Sequence, residues 1–440
     1  LMFQTLRDAF KIKDLRRRIG FTFLMLIVVR LGSLLPVPGI NGSAFSSLFA
    51  DSDSALNFFD SITGGSFSSM SVFALNITPY ITSSIIMQLL TIAFPKLEEM
   101  QRDGEAGRKK MTQITRYLTI ALALGESIAM AIGFGKSGYL VAYNALYVIL
   151  VVASLTAGSA VLMWIGERIT EKGVGNGISI ILVINIISGF PNDIITLKNA
   201  FVTPSSIGWA RAILNLAIIV AIILAMIVFV IYLQDGVRQI PVMYAKKTVG
   251  RRLIGGQSSS IPLKVNTAGV IPVIFASSLM SIPQIIGQFV NITNVVVVRI
   301  LQFLSPGCWF RKGYPWYVSL GFVLYVVMII GFAYFYTSIT FNPNEVSENI
   351  KKQGGSVPGI RPGKPTAEYF TGILNYLVFI GAVGLIIVCS VPLVITGVAG
   401  IGSLSFGGTS IIIVVGVILE TLQQIESQML VRNYKGFLNS

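Results

Sequence analysis

Histidine is absent from all 440 residues. The chain therefore lacks the side chain that most often shuttles protons near neutral pH and most often holds a transition metal. Cysteine is nearly absent too. Cys308 and Cys389 form no Cys-x-x-Cys pair, so they read as two incidental thiols rather than a zinc site or a disulfide framework. Charge is the third shortage. Only 12% of residues are Asp, Glu, Lys or Arg, against roughly 25% in an ordinary soluble domain. So few charges can neither coat a water-soluble fold of this size nor keep a disordered chain dissolved. No Ser/His set, paired Asp or metal-ligand group is spaced to carry chemistry. No catalytic residue, cofactor or metal is expected, and the chain does not read as an enzyme.

What remains is apolar. Hydrophobic residues make up 53% of the chain and the mean hydropathy is +0.76. Windows of about 20 apolar residues, the length that crosses a bilayer as a helix, occur at 19–36, 75–94, 117–134, 143–165, 178–196, 211–233, 265–287, 316–337, 369–390 and 404–424. The first is followed by Leu35-Pro-Val-Pro-Gly39 and by nine further windows, so it reads as a retained span rather than a cleavable signal. The expected class is an all-α polytopic membrane protein with ten transmembrane helices.

The net charge is +14, and its placement matters more than its size. Segments 1–18, 95–116, 166–177, 234–264, 338–368 and 425–440 hold 26 of the 33 Lys and Arg residues. The positive-inside rule then puts both termini in the cytoplasm, as an even number of spans requires. Segments 234–264 and 338–368 are long for connectors. They carry Arg238, Lys246, Lys247, Arg251 and Arg252, and Lys351, Lys352, Arg361 and Lys364. Such loops suit anionic lipid, or a large acidic partner such as ribosomal RNA or a cytosolic motor.

The outer segment 37–74 has no Lys or Arg but has Asp51, Asp53 and Asp60. Its end, 61–73, is too short and polar to span and too apolar for a solvated loop. It is expected to be a short re-entrant helix tucked into a cavity, or a loop on the outer surface. Charges inside the spans are few, and those singled out are Arg30, Glu126 and Glu420, each of which should face protein or water. No acidic relay is present. Ten spans divide into five plus five, and an odd repeat unit reverses its orientation, so two inverted halves are expected.

Two segments stand out. In Ser71 to Leu90, Ile77, Ile81 and Ile85 recur at i+4 and share a helical face. Gly173-Val-Gly-Asn-Gly177 makes a tight turn into the fifth span. At these two segments the sequence resembles the SecY family, the central subunit of the bacterial protein-conducting channel. Pro79-Tyr80 and Ile85-Ile-Met-Gln-Leu-Leu90 match its second-span signature, with Asn76 where the family usually has glycine. The second matches around Gly175-Asn-Gly-Ile-Ser179. Further matches, in family order, are Asp103-Gly-Glu-Ala-Gly-Arg108, Tyr244-Ala-Lys246, Pro262-Leu-Lys-Val-Asn266, Gly269-Val-Ile-Pro272, Gly359-Ile-Arg-Pro-Gly363 and Phe406-Gly-Gly-Thr-Ser410. The poorest stretch is 290–315.

The resemblance implies two five-helix halves, 1–196 and 197–440, around a central hourglass pore that opens sideways to lipid. It implies a constriction of Ile77, Ile81, Ile178, Leu182, Ile274 and Ile413. It implies a plug at about 61–73 with Ile62, Gly64, Gly65, Phe67 and Ser68, and a lateral gate with Thr82, Glu126 and Asn266. Arg238, Lys246, Lys247, Arg251, Arg252 and Arg361 become docking positions for the SecA motor ATPase or the ribosome. The implied cargo is signal sequences and nascent polypeptides, and the implied neighbours are SecE-like and SecG-like small subunits and anionic lipids. The implied location is the bacterial cytoplasmic membrane. The alternative is a ten-span secondary transporter with inverted repeats, which needs a polar binding site near the midplane.

Overall fold

The computed structural model describes residues 10–42, 45, 60, 63–201, 209–244, 247–249, 252–254, 258–289, 295–305, 308–310, 315–399 and 408–438. The first part is built of α1 (Lys13–Gly32), α2 (Thr78–Ala93), α3 (Pro95–Arg102), α4 (Gly104–Lys136), α5 (Ala145–Lys172), α6 (Gly177–Phe201) and α7 (Trp209–Asp235). After a stretch of strands come α8 (Ile271–Phe289), α9 (Val295–Leu304), α10 (Leu320–Thr340), α11 (Pro343–Lys352), α12 (Lys364–Ala399) and α13 (Gly408–Leu438).

A helix lies in each of the ten apolar windows. Among the described residues, seven helices are long and apolar enough to cross a membrane: α4, α5, the helix running through α10, α12, and the larger parts of α6, α7 and α13. The pair α2–α3 qualifies as an eighth, bent by 110° at Phe94. The bend has a local cause. Proline drives the residue before it out of the helical region, and Phe94, before Pro95, is extended at φ −118°, ψ 110°. α1 falls outside this set, since Arg16, Arg17, Arg18 and Arg30 lie within it.

The segment 234–264 corrects the strictly helical expectation. It forms strands: β1 (Val237–Tyr244), β2 (Lys247–Val249), β3 (Arg252–Ile254) and β4 (Ser258–Lys264). β1 pairs antiparallel with β4 from Val237 opposite Lys264 to Met243 opposite Ser258. β5 (Gly355–Ser356), from the other long basic segment, joins the far edge of β1. Ile240 and Val242 are buried while Gln239, Pro241 and Met243 are exposed, the two-residue alternation of a half-buried strand. Ile240, Val242 and Leu263 pack on Phe370 and Leu374 of α12, so the sheet is seated on a helix that leaves the membrane.

Two large cores organise the helices. One joins Ala123, Met130, Ala131 and Phe134 of α4 to Val151 and Leu155 of α5, together with Phe45, Phe67 and Met70 from the segment before α2. The other joins Met226 and Val230 of α7, Val273 and Met280 of α8, Tyr325 and Ile329 of α10, Leu385 and Val388 of α12, and Ile411 and Ile412 of α13. The two bodies touch where α4 meets α8, and where α6 meets α7 and α13.

Candidate functional site

The junction between the two bodies is aliphatic. Leu182, Val183 and Ile186 of α6 pack against Ile413 and Val417 of α13, with Ile81 of α2 and Ile274 of α8 partly buried against them. Four residues singled out in the sequence, Ile81, Leu182, Ile274 and Ile413, therefore share one cluster drawn from both bodies. The other two lie next to it. Ile77 is fully buried among Val29, Phe73, Leu162 and Ile165, and Ile178 packs on the edge of that group. Ile81 and Ile180 touch both clusters and join them. Sequence reasoning missed Ile186 and Val417. The signal was there for both: each stands four residues after a ring position, Leu182 or Ile413, and so on the same helical face.

Beside this junction lies the segment before α2, and it is held differently. Gly64 and Gly65 have φ of +67° and +82°, the left-handed region that suits glycine. They break the expected re-entrant helix into consecutive turns from Gly64 to Met70. Gly64 is also pressed against α6: a Cβ there would sit 2.3 Å from the backbone oxygen of Asn185. Its carbonyl accepts from Arg30 Nη1 at 3.4 Å and from Ser188 Oγ at 3.2 Å. Phe67 is buried, edge-on to Phe45 at 5.9 Å. The Ser68 backbone N–H donates to Asp60 Oδ1 at 2.7 Å. Burial pushes the Asp60 carboxyl above its ordinary range, against the pull of the hydrogen bonds from Ser68 and Thr63. Ile62 lies outside the described residues.

The exit from this segment is polar and buried. Asn185 donates through Nδ2 to Asn76 Oδ1 at 3.0 Å, and Ser159 Oγ donates to the Asn76 carbonyl at 3.4 Å. Asn76 has φ +51°. Asparagine is among the non-glycine residues that best tolerate this region, so it can stand here. Neither Asn185 nor Ser188 was picked out from the sequence, because a lone polar residue in an apolar run carries no signal of its partner.

The three gate positions are not joined by hydrogen bonds. Thr82 donates to Thr78 of its own helix at 3.0 Å. Glu126 is half-buried on α4. Asn266 is 5% exposed in the turn before α8, and its Nδ2 has no partner among the described residues. The Thr82 hydroxyl is thus spent on a carbonyl of its own helix. α4 and α8 themselves do touch.

On the basic face, Arg238 is exposed on β1 and Arg361 on the turn before α12. That turn is braced, with Thr366 Oγ1 donating to the Arg361 carbonyl at 2.8 Å and Ser347 Oγ to the Gly363 carbonyl at 2.7 Å. Lys247 and Arg252 lie on the β2–β3 hairpin. Lys246 and Arg251 lie outside the described residues. A cavity of about 490 Å³ is lined by the Arg116–Glu167 ion pair (2.7 Å), Tyr80, Ile178 and Glu420. It reaches the edge of the aliphatic junction from this side.

Comparison with known proteins completes the picture. The family model described as SecY matches residues 71–422. The Halalkalibacterium halodurans "Protein translocase subunit SecY" is 43% identical over 444 residues, covering 99% of this chain and 100% of the relative. Its counterpart from Bacillus subtilis is 41% identical over 447 residues, covering all of both. Among solved structures, "The structure of a protein conducting channel" aligns with a TM-score of 0.62 at 19% identity, covering 94% of this chain and 92% of that one. "Sec61 in the Canine ribosome-channel complex from the endoplasmic reticulum" aligns at 0.59 and 18%, with the same coverage. These two establish likeness of fold.

Proposed function

The chain belongs to the SecY family, and on that premise we propose that it is the channel-forming subunit of a protein translocase. It passes unfolded polypeptides across a membrane and releases apolar segments sideways into lipid. The observation that carries this reading is the aliphatic junction contributed by both bodies, with Ile81, Leu182, Ile274 and Ile413 in one cluster. Aliphatic side chains offer a passing chain no hydrogen bond to stall on, and they exclude water and ions by dewetting when closed. The family match gives no support to the transporter alternative, and this cluster offers none of the polar groups a small solute would need.

The finer reading follows the same logic. Ten helices divide at about residue 196 into two inverted halves. The two halves hinge apart where α2 and α4 face α8 and α10. Segment 63–70 is the plug, and Ile77 and Ile178 complete the constriction with the four clustered residues. The β1–β4–β5 sheet, the β2–β3 hairpin and the Arg361 turn lie in the cytoplasm with both termini. They receive the SecA motor or the ribosome, and anionic lipid neutralises the remaining basic residues. SecE-like and SecG-like subunits clamp the outside, and the membrane is the bacterial inner membrane.

The test is reconstitution of the complex in vesicles with SecA, ATP and a secretory precursor. Protease-protected precursor is expected inside. Arg361→Glu should abolish most of that protection while the protein stays folded, because charge reversal at a docking site repels the partner. Parental transport by Arg361→Glu overturns the docking role, and no protected precursor with any partner overturns the channel.

A further inference from the structure

α9 is a helix to which the reading above gives no task. It follows α8 at the end away from the β-sheet, so it lies on the membrane face opposite the basic one. Val297, Val298 and Ile300 are 36%, 37% and 52% exposed, and Arg299 beside them is exposed too. These four successive exposed positions turn through most of the helix circumference, so the middle of α9 is exposed on several sides and mostly apolar there. A surface of that kind is unfavourable in water.

The helix is firmly mounted. Trp309, 1% exposed, donates through Nε1 to the carbonyl of Phe303 in the last turn of α9 at 2.9 Å. Its ring packs on Tyr325 and Phe322 of α10 at 5.7 and 6.0 Å. Gly321 permits the approach, because a Cβ there would lie 1.9 Å from the Phe303 oxygen. α9 also touches α8. One short helix is thus braced against the ends of both helices that form the second side of the seam.

We propose that α9 is a membrane-surface anchor, and that its partner is the outer-leaflet phospholipid around the ends of α8 and α10. The last turn of α9 abuts the start of α10 at Gly321, where Leu320, Val323 and Leu324 are 46%, 54% and 39% exposed. A helix with Val and Ile on its surface and an arginine among them lies in the interface, with the guanidinium reaching the phosphates. Because the mount is rigid, lipid packing at this interface bears on the outer ends of the seam. This consequence rests on the channel reading; the anchor itself rests only on the exposed face and its mounting.

The experiment uses the full complex in vesicles. An environment-sensitive dye is placed at Ile300→Cys, and separately at Val297→Cys, with Cys308 and Cys389 replaced. Emission is quenched either by lipids brominated near the head of the acyl chain or by aqueous iodide. The expected result at both positions is a larger fractional loss to bromolipid than to iodide. An equal or larger loss to iodide places α9 in water and overturns the anchor. Shielding from both quenchers shows that protein covers it and overturns the lipid assignment. Precursor transport measured on the same vesicles reports on the channel reading separately.

Discussion

The aliphatic junction and the turn segment beside it lie in contact with the same helix, α6, yet they are held by opposite means. At the junction, Leu182, Ile413 and Val417 meet through side-chain surface alone. In the segment, Gly64 is fixed by two hydrogen bonds to its carbonyl and by a backbone approach that no other residue can make. The difference teaches what each part must do. A constriction that closes on chains of any sequence needs contacts without direction. On the proposed reading, a plug that leaves and returns to one seat needs contacts with direction, each worth about 1 kcal/mol, so that the sum is specific yet reversible.

Gly64→Ala should break the comparison most severely. The left-handed backbone alone costs a non-glycine residue about 1–2 kcal/mol, and the new Cβ meets the Asn185 oxygen. The segment should lose its seat, and ion conductance of the idle complex in planar bilayers should rise strongly; parental conductance would mean that the segment seals nothing. Next comes Ile413→Asn, which buries an unsatisfied amide at roughly 1–3 kcal/mol and wets the junction. Conductance should rise, whereas Ile413→Val should cost about 1 kcal/mol and keep the seal. Equal leaks from both variants would contradict a dewetting barrier.

Smaller effects sharpen the picture. Asn76→Ala loses the bond to Asn185 and keeps the strained φ, so thermal unfolding of the complex should show a loss of about 2 kcal/mol. Asn76→Gly relaxes the backbone and should lie nearer the parent. The reverse order would remove the account of why asparagine is tolerated there. The smallest effect concerns Asp60. Its folded carboxyl titrates above the ordinary value, so the folded state binds the proton more tightly. Seating is then strongest below the ordinary carboxylate pKa and weakens as pH rises through the raised one. Asp60→Asn keeps an acceptor for the Ser68 N–H and should flatten that dependence. Cysteine labelling at Ser68→Cys across the acidic range reads it, and an unchanged slope would exclude Asp60 as the titrating group.

Much of the fold was legible because hydropathy reports what lipid demands. Helices lie at all ten windows, and Ile81, Leu182, Ile274 and Ile413 share one aliphatic cluster. The ends were not legible. α4, α12 and α13 run well past the apolar windows, because a helix that continues into water keeps its hydrogen bonds while losing its hydropathy. The strands were missed although Ile240 and Val242 alternate with exposed neighbours. Pro241 and Pro262 stand inside β1 and β4, and proline ordinarily argues against a strand. The polar seat of Gly64 was hidden for another reason. Arg30, Asn76, Ser159 and the Asn185–Ser188 turn of α6 are far apart in sequence and meet only once α1, α5 and α6 are packed.

The central claim is that polypeptide passes through the junction of the two bodies. A precursor stalled in transit, carrying one cysteine in its midsection, tests it by disulfide formation with Ile413→Cys or with Ile329→Cys in the complex cleared of its native thiols. Ile329 is fully buried in the second body's core and serves as the comparison. The account predicts a cross-link at 413 that depends on stalled chain, and none at 329. Absence of the cross-link at 413, or equal yield at both positions, would contradict it.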